Sequence, residues 1–252
     1  MRLRRTIGAI CVLAVWYADS QAWPTRNRDV VIFSDTPAFA AQTQALTAVS
    51  NVRIKGPWHI EWHAGAKNQV RYSHFSNGVV LRVEQGTLYL IAPDSPQKGT
   101  PTVSLQLSAP VKRIDVAGPA TVNMTAPVTG GTIALSGGAQ VACSLVQAKR
   151  LVVSVTGASQ LSLAGTVGFA QMGVVNQSIL NAGDLIANAM WLYAADDARV
   201  TISVIDTLRA FTRGNAVVYY AQKPRKLITV NANSSNVWWS GSNATTHNPL
   251  DD

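Results

Sequence analysis

Hydrophobic and polar residues alternate along much of this chain with a period of two, and the alternating unit itself recurs every 18 to 20 residues. Seven copies run Gly118-Pro-Ala-Thr-Val122, Gly137-Gly-Ala-Gln-Val141, Gly157-Ala-Ser-Gln-Leu161, Asn176-Gln-Ser-Ile-Leu180, Asp196-Asp-Ala-Arg-Val200, Gly214-Asn-Ala-Val-Val218 and Asn233-Ser-Ser-Asn-Val237. The first position is Gly, Asn or Asp, residue types that tolerate positive φ and make turns. The third is Ala or Ser, and the fifth Val or Leu. The seventh runs Met124, Cys143, Leu163, Ala182, Ile202, Tyr220, Trp239, and the sixth, between two mostly apolar columns, runs Asn123, Ala142, Ser162, Asn181, Thr201, Tyr219, Trp238. A second alternating strand precedes each corner, with inward pairs such as Ile114 and Val116, Ile133 and Leu135, Leu192 and Ala194. In the last copies it weakens to Ala210 and Thr212, then to Ile228 and Val230 shifted by one.

A strand this short cannot bury its apolar side alone, so each copy must stack on the next. The pattern predicts an all-β fold, a parallel β-solenoid of about seven coils over residues 111–241. Each coil has two good strands, a corner closed by a small inward residue, and a looser third side. Stacked at roughly 4.8 Å, the coils make a rod on the order of 34 Å long. No segment between 110 and 240 carries a helical period. An antiparallel sandwich or barrel also fits the half-period; the small corner residue recurring in all seven copies favours the solenoid.

Ahead of the repeats, six alternating segments between Val52 and Leu107 are separated by turn-forming pairs such as Asn77-Gly78 and Gln85-Gly86. These tight reversals predict a β-rich N-terminal cap over 46–110, partly antiparallel, covering the first coil. Residues 23–45 read as a mobile leader or spacer whose Ala/Gln-rich part has the composition of one short helix. Residues 242–252 read as a disordered tail.

The first 22 residues change the cellular picture. Arg2, Arg4 and Arg5, then the apolar run Ile7 to Trp16, then the small-residue site Ser20-Gln-Ala22, are the three regions of a secretory signal peptide. Cleavage falls after Ala22, with Ala40 a second site farther from the apolar run. No stretch is long and apolar enough to read as a spanning helix. Removing this segment takes three Arg and one Asp from the formal +8 and leaves +6. It also leaves Cys143 as the one cysteine, a buried filler in an inward column. The chain is thus expected to be exported, to the periplasm, the outer membrane or the cell surface.

The order Trp58-His-Ile-Glu-Trp62, Leu81-Arg-Val-Glu-Gln-Gly-Thr-Leu-Tyr-Leu90, Val103-Ser-Leu-Gln-Leu-Ser-Ala-Pro110 and Val111-Lys-Arg-Ile-Asp-Val-Ala-Gly118 resembles a bacterial exported family, named putative auto-transporter adhesin, head GIN domain. The corners Ser136-Gly-Gly-Ala139 and Thr156-Gly-Ala-Ser159 add to the resemblance, which spans about residues 46–241. It implies a β-helix-like fold and an envelope location, and no established activity. Asn176 and Asp196 stand where the family usually has Ser-Gly, so irregular coils are expected there.

Solenoids also host carbohydrate-active enzymes, whose acid/base chemistry needs carboxylates converging from neighbouring coils. Asp184 and Asp206, on the third side of adjacent coils, are the pair expected several Å apart, with no His or Tyr in their columns. His59, Glu61 and His63 share one strand face, with His74 on the next strand, and His-x-His beside a carboxylate is a workable metal set. A solvated polar face is the commoner reading of such a strand. No Gly-x-Ser-x-Gly elbow, phosphate-binding loop or Cys-x-x-Cys is present. The chain is therefore read as a non-enzyme without cofactor.

Binding chemistry is better represented. Tyr219 and Trp238 fall on neighbouring coils of an otherwise small polar column, where they either stack a sugar or protein partner or cap the end of the rod. Lys112-Arg113, Lys149-Arg150 and Arg225-Lys226, with Arg209, precede the first strand of a coil and predict a broken basic stripe along one edge. Edge protection accounts for such a stripe, and so does an acidic partner. The expected function is a binding or scaffold module of the bacterial envelope, with envelope proteins or acidic glycans as partners and nucleic acid not among them. The two other readings are a structural subunit of an envelope assembly such as a secretion apparatus, and a carbohydrate-active enzyme.

Overall fold

Alternating short strands with positive-φ residues between them can only close on themselves by turning a corner and pairing with the next copy, and the chain does so. The computed structural model describes residues 31–32, 42–73, 79–93, 100–233 and 235–240, all within one unit, Val31–Asp252. The segments read as signal peptide and tail, and His74, lie outside the described residues. The fold is a β-solenoid of about seven turns, with no helix among the described residues.

The N-terminal region contributes β1 (Val31–Ile32), β2 (Gln42–Ala45), β3 (Asn51–Lys55), β4 (His59–Ala64), β5 (Gln69–Ser73), β6 (Val80–Glu84), β7 (Thr87–Ile91) and β8 (Thr102–Leu107). The repeats contribute β9 (Arg113–Ala117), β10 (Thr121–Met124) and β11 (Gly131–Ser136), then β12 (Gln140–Val155), β13 (Gln160–Val174), β14 (Ile179–Ala194) and β15 (Arg199–Thr212), and finally β16 (Val217–Tyr220), β17 (Lys226–Asn231) and β18 (Asn236–Trp239). The four long strands each run from one corner, along the third side, into the strand before the next corner.

Two long faces result. The first is made by strands entering a corner, in the parallel order β7, β3, β9, β11, the ends of β12 to β15, and β17. The second is made by strands leaving a corner, in the order β8, β4, β10, the starts of β12 to β15, β16 and β18. Register is locked because a slip of one residue would turn every inward side chain out.

All seven corners sit in the left-handed region, with Gly118 at φ +94°, Gly137 at +72°, Asn176 and Asp196 at +62°, and Asn233 at +61°. Asn176 and Asp196 adopt the same turn as the glycines, as these residue types can, and the irregularity of their coils lies instead on the third side, where the β14–β15 register shifts after Ala182 and again after Ala187. The third-position residues Ala120, Ala139, Ser159, Ser178, Ala198, Ala216 and Ser235 are all buried. The inward columns from Val122 to Val218 and from Met124 to Ile202 form one continuous core with Ile114, Ile133, Val153, Met172 and Leu192. Cys143 is a free thiol inside it, 3.5 Å from the Met124 Sδ, and burial pushes its pKa up to about 12.

Residues 46–110 do more than cover an end. Gly56-Pro-Trp-His-Ile60 is a further corner, with Gly56 at φ +93°, and its β3 and β4 lie in register beside β9 and β10. Trp58 takes the place of the small third residue, fully buried, and its Nε1 donates to the Lys55 carbonyl at 2.9 Å. β7 and β8 then pair parallel on the other side of β3 and β4, so the order in space differs from the order in the chain. The coil of β5 and β6 runs the opposite way, antiparallel to β8 and β7. β2 pairs antiparallel to β5, so the Ala/Gln-rich part of the leader ends as a strand rather than a helix, its backbone groups taken up by that ladder.

Candidate binding surface

Inward columns are nearly constant along the solenoid, so whatever distinguishes one region from another lies in the outward columns. On the N-terminal half of the first face these are polar and paired. Asp115 accepts from Arg53 Nε at 3.1 Å and from Arg113 Nε at 2.9 Å. Arg82 lies 3.5 Å from Glu84 and 4.8 Å above the centre of the Tyr89 ring. Arg113 of the Lys112-Arg113 pair is thus tied to a carboxylate that it shares with Arg53.

The C-terminal half of the same face is different. One outward column runs Arg150, Phe169, Ala189, Thr207, Lys226, the next Val152, Gln171, Trp191, Arg209, Ile228, and the next Ser154, Gly173, Tyr193, Phe211, Val230. None of these residues is acidic. Trp191 is 49% exposed and Phe211 42%. Phe169 and Trp191 meet edge to face with ring centres 5.5 Å apart. The Arg150 guanidinium lies 5.5 Å from the Phe169 ring centre, and that of Arg209 lies 5.6 Å from the Trp191 ring. The ion pairs among the described residues all involve residues 53–115, so neither arginine is matched to a carboxylate.

This arrangement gathers three of the basic residues read from the sequence, Arg150, Arg209 and Lys226, onto one face. Lys149, exposed, sits at the bend between the third side and this face. Arg225, also exposed, begins the last coil, its amide donating to the Ile205 carbonyl at 3.1 Å. Ile228 and Val230, read as inward, point outward in line with Arg209 and Phe211. The register is continuous with β15, and the inward place falls to Leu227.

On the second face, Tyr219 and Trp238 are direct partners across β16 and β18, with Trp238 54% exposed. Trp239, read as inward, is 57% exposed because no further described strand covers β18. At the other end of this face His59 lies 3.3 Å from Glu61 Oε1, which also accepts from Asn123 Nδ2 at 2.8 Å. His63 instead meets Thr125 Oγ1 at 2.8 Å. Among the described residues these side chains make no cluster able to hold a metal.

The expected convergence of Asp184 and Asp206 is corrected by the register. Asp184 falls in the bulge after Ala182, which faces Ile202, and Asp206 just before Thr207, which faces Ala189. They occupy opposite ends of the third side, about four strand positions or on the order of 13 Å apart along it. Asp206 accepts from its neighbour Thr207 Oγ1 at 3.1 Å. A pair so separated on one solenoid side has no shared substrate position for acid and base.

The family profile described as putative auto-transporter adhesin, head GIN domain, matches residues 49–224. The chain belongs to this family. Solved structures similar to this GIN-domain chain include a putative adhesin from Bacteroides fragilis, with TM-score 0.71 and 16% identity over 81% of this chain and 98% of that one. Another is a putative adhesin from Parabacteroides merdae, with TM-score 0.63 and 12% identity over 79% and 95% of the two chains. A protein from Parabacteroides distasonis described as a putative lipid binding protein aligns with TM-score 0.61 and 16% identity over 79% and 96%. At these identities the likeness shows the fold alone. None of the curated proteins matches the chain.

Reasoning from the repeats missed the aromatic group of the GIN domain's first face, exposed Trp191 and Phe211 with half-buried Phe169. For two of them the signal was present, since they lie between inward residues of the strand entering a corner: Trp191 between Met190 and Leu192, Phe211 between Ala210 and Thr212.

Proposed function

We propose that this chain is a non-enzymatic, exported binding module of the bacterial cell envelope, adhesin-like, that contacts its target through the outward columns of its last coils. The observation that carries this reading is the placement of Trp191, Phe211 and Trp238 on the outside of a rigid ladder whose core is complete without them. Aromatic side chains held exposed on a stiff sheet are contact anchors with little entropy left to lose. The signal-peptide character of residues 1–22 and the family's description support export to the periplasm, outer membrane or surface.

The test is a cell-binding assay with purified protein and isolated bacterial envelopes. Wild type is expected to sediment with the envelopes, and a Trp191→Ala, Tyr219→Ala, Trp238→Ala triple variant of unchanged melting temperature is expected to stay in solution. Equal sedimentation of the two would overturn the placement of the contact.

A second reading, a structural subunit of an envelope assembly, has one observation in its favour. Among the described residues β17 pairs only with β15, and β18 only with β16, leaving outer edges that a partner strand can extend. Leu227 is 43% exposed there, whereas Leu208, its inward neighbour, is fully buried. Stoichiometric recovery of envelope proteins with the tagged chain supports this reading, and recovery of the chain alone removes it.

A further inference from the structure

Four side chains on the C-terminal half of the first face form an unbroken diagonal: Arg150, Phe169, Trp191, Arg209. Each step is 5.5 or 5.6 Å between group centres. The diagonal climbs three coils and shifts by two strand positions, so the backbone positions of the two arginines stand about 16 Å apart, from coil spacing and strand rise alone. It is a cation, two apolar rings and a second cation, on a flat sheet without an acidic neighbour in the outward columns around it.

An arginine packed against a ring keeps its planar fork pre-organised, with N–H groups free at the edge for a carboxylate or sulfate. An exposed Trp or Phe offers the kind of surface on which the C–H face of a sugar ring rests. Here both occur in one line at a pitch set by stacked strands, and Lys226 prolongs the basic column one coil beyond Thr207. Lipid bilayers ask for something else, namely apolar side chains projecting past the surface into the acyl region. Along the diagonal each ring instead has a guanidinium group within 5.6 Å, and the two rings meet edge to face. Charge complementarity, with cations at both ends of the ring pair, therefore favours an extended anionic polymer with apolar ring faces.

We infer that the Arg150–Phe169–Trp191–Arg209 diagonal is a binding site for an acidic polysaccharide, its sugar rings lying over Phe169 and Trp191 and its carboxylate or sulfate groups held by Arg150 and Arg209. This rests on the binding-module reading and names its ligand class. Bidentate geometry at the arginines makes Arg209→Lys a real loss even though it keeps the charge. Ionic strength should weaken the interaction, because exposed charges are screened within about 8 Å at physiological salt.

The experiment is titration calorimetry of the purified protein with polygalacturonate, dextran sulfate, neutral dextran and phosphatidylglycerol vesicles. Binding is expected to one or both acidic polymers and not to neutral dextran. Arg150→Ala, Arg209→Ala and Trp191→Ala should each weaken it about tenfold, more than one exposed cation–ring contact is worth alone, and Arg209→Lys by about threefold. Asn181→Ala, on the second face, should leave it unchanged. Circular dichroism of every variant must match wild type, which the exposure of all these side chains leads us to expect. Failure of both acidic polymers to bind overturns the inference, as does binding that these variants do not alter, or tighter binding to the vesicles than to either polymer. Envelope sedimentation in the earlier assay separates the two levels: if it persists while polymer binding fails, the module stands and the glycan site falls.

Discussion

The two halves of the first face share a backbone ladder and an interior, yet they treat charge in opposite ways. In the N-terminal half two arginines close on one aspartate, Arg53 and Arg113 on Asp115, and a third, Arg82, has both Glu84 and the Tyr89 ring. In the C-terminal half Arg150 and Arg209 rest on aromatic rings with no carboxylate beside them. A solenoid makes this contrast possible because each outward position can change without disturbing the column beneath it. The ion-paired half lies next to the antiparallel coil of β5 and β6. The other keeps its donors available.

The comparison breaks severely at Gly56. Its φ is +93°, and a Cβ there would lie 2.3 Å from the Ala92 carbonyl oxygen, a backbone atom that can move only with its strand. Gly56→Ala should therefore part β3 from β7 and cost about 3 kcal/mol or more. Gly173, in the aromatic half, meets nothing closer than 3.9 Å and has no left-handed φ. Gly173→Ala should change stability by less than about 0.5 kcal/mol. Chemical denaturation of the two variants checks the difference; equal losses would mean that the added coil of β3 and β4 is not held by close backbone approach.

What was legible in the sequence follows the same division. Corners and inward columns obey a repeated steric rule, and the seven copies expose it: every first position takes positive φ and every third is buried. Gly56-Pro57 repeats Gly118-Pro119, but Trp58 replaces the small third residue and 62 residues separate the two corners, so spacing could not reveal that coil. Its placement between β7 and β9 depends on pairing between distant strands. Outward columns follow no repeated rule. The Arg150 to Arg209 diagonal arises only when register sets residues 18 to 20 apart side by side. Asp184 and Asp206 failed for the complementary reason, because bulges on the third side carry them apart.

Next in size is the shared interior. Ala139 is fully buried at a corner, between Ala120 and Ser159 of the adjoining coils. Ala139→Leu should cost roughly 1–3 kcal/mol by overpacking, with a lower melting temperature as the readout. An unchanged value would mean that the corner has room, and that the small third residue is not required by packing.

Asp115→Asn tests the charge contrast directly. It leaves Arg53 and Arg113 without their shared carboxylate in a cluster that is mostly but not wholly shielded, with side-chain exposures of 15% for Asp115 and 24% and 33% for the arginines. After allowance for solvent screening, the expected loss is about 1 kcal/mol, smaller at high salt. Two freed cations without an exposed ring beside them should not make a second polymer site. Comparable binding at both halves of the variant would show that charge alone, and not the ring ladder, selects the ligand.

The smallest effect has the opposite sign. Ser159 and Ser178 occupy adjacent third-position slots in the aromatic half, and their buried hydroxyls meet no hydrogen-bond partner. Ala120 and Ala139 fill the same slots in the preceding coils. A hydroxyl taken from water without a partner costs free energy, so removing it recovers part of that cost while leaving a shape the corner already accepts elsewhere. Ser159→Ala and Ser178→Ala should each raise stability by about 0.5–1 kcal/mol, read as a higher denaturation midpoint with unchanged slope. The serine of the last corner supplies the control. Ser235 Oγ accepts from the Ala232 amide at 3.2 Å and is 2.9 Å from Thr212 Oγ1, so Ser235→Ala should lower stability instead. If all three serines responded alike, hydrogen bonding would not be what separates the closed corners of the middle coils from the corner at the end of the rod.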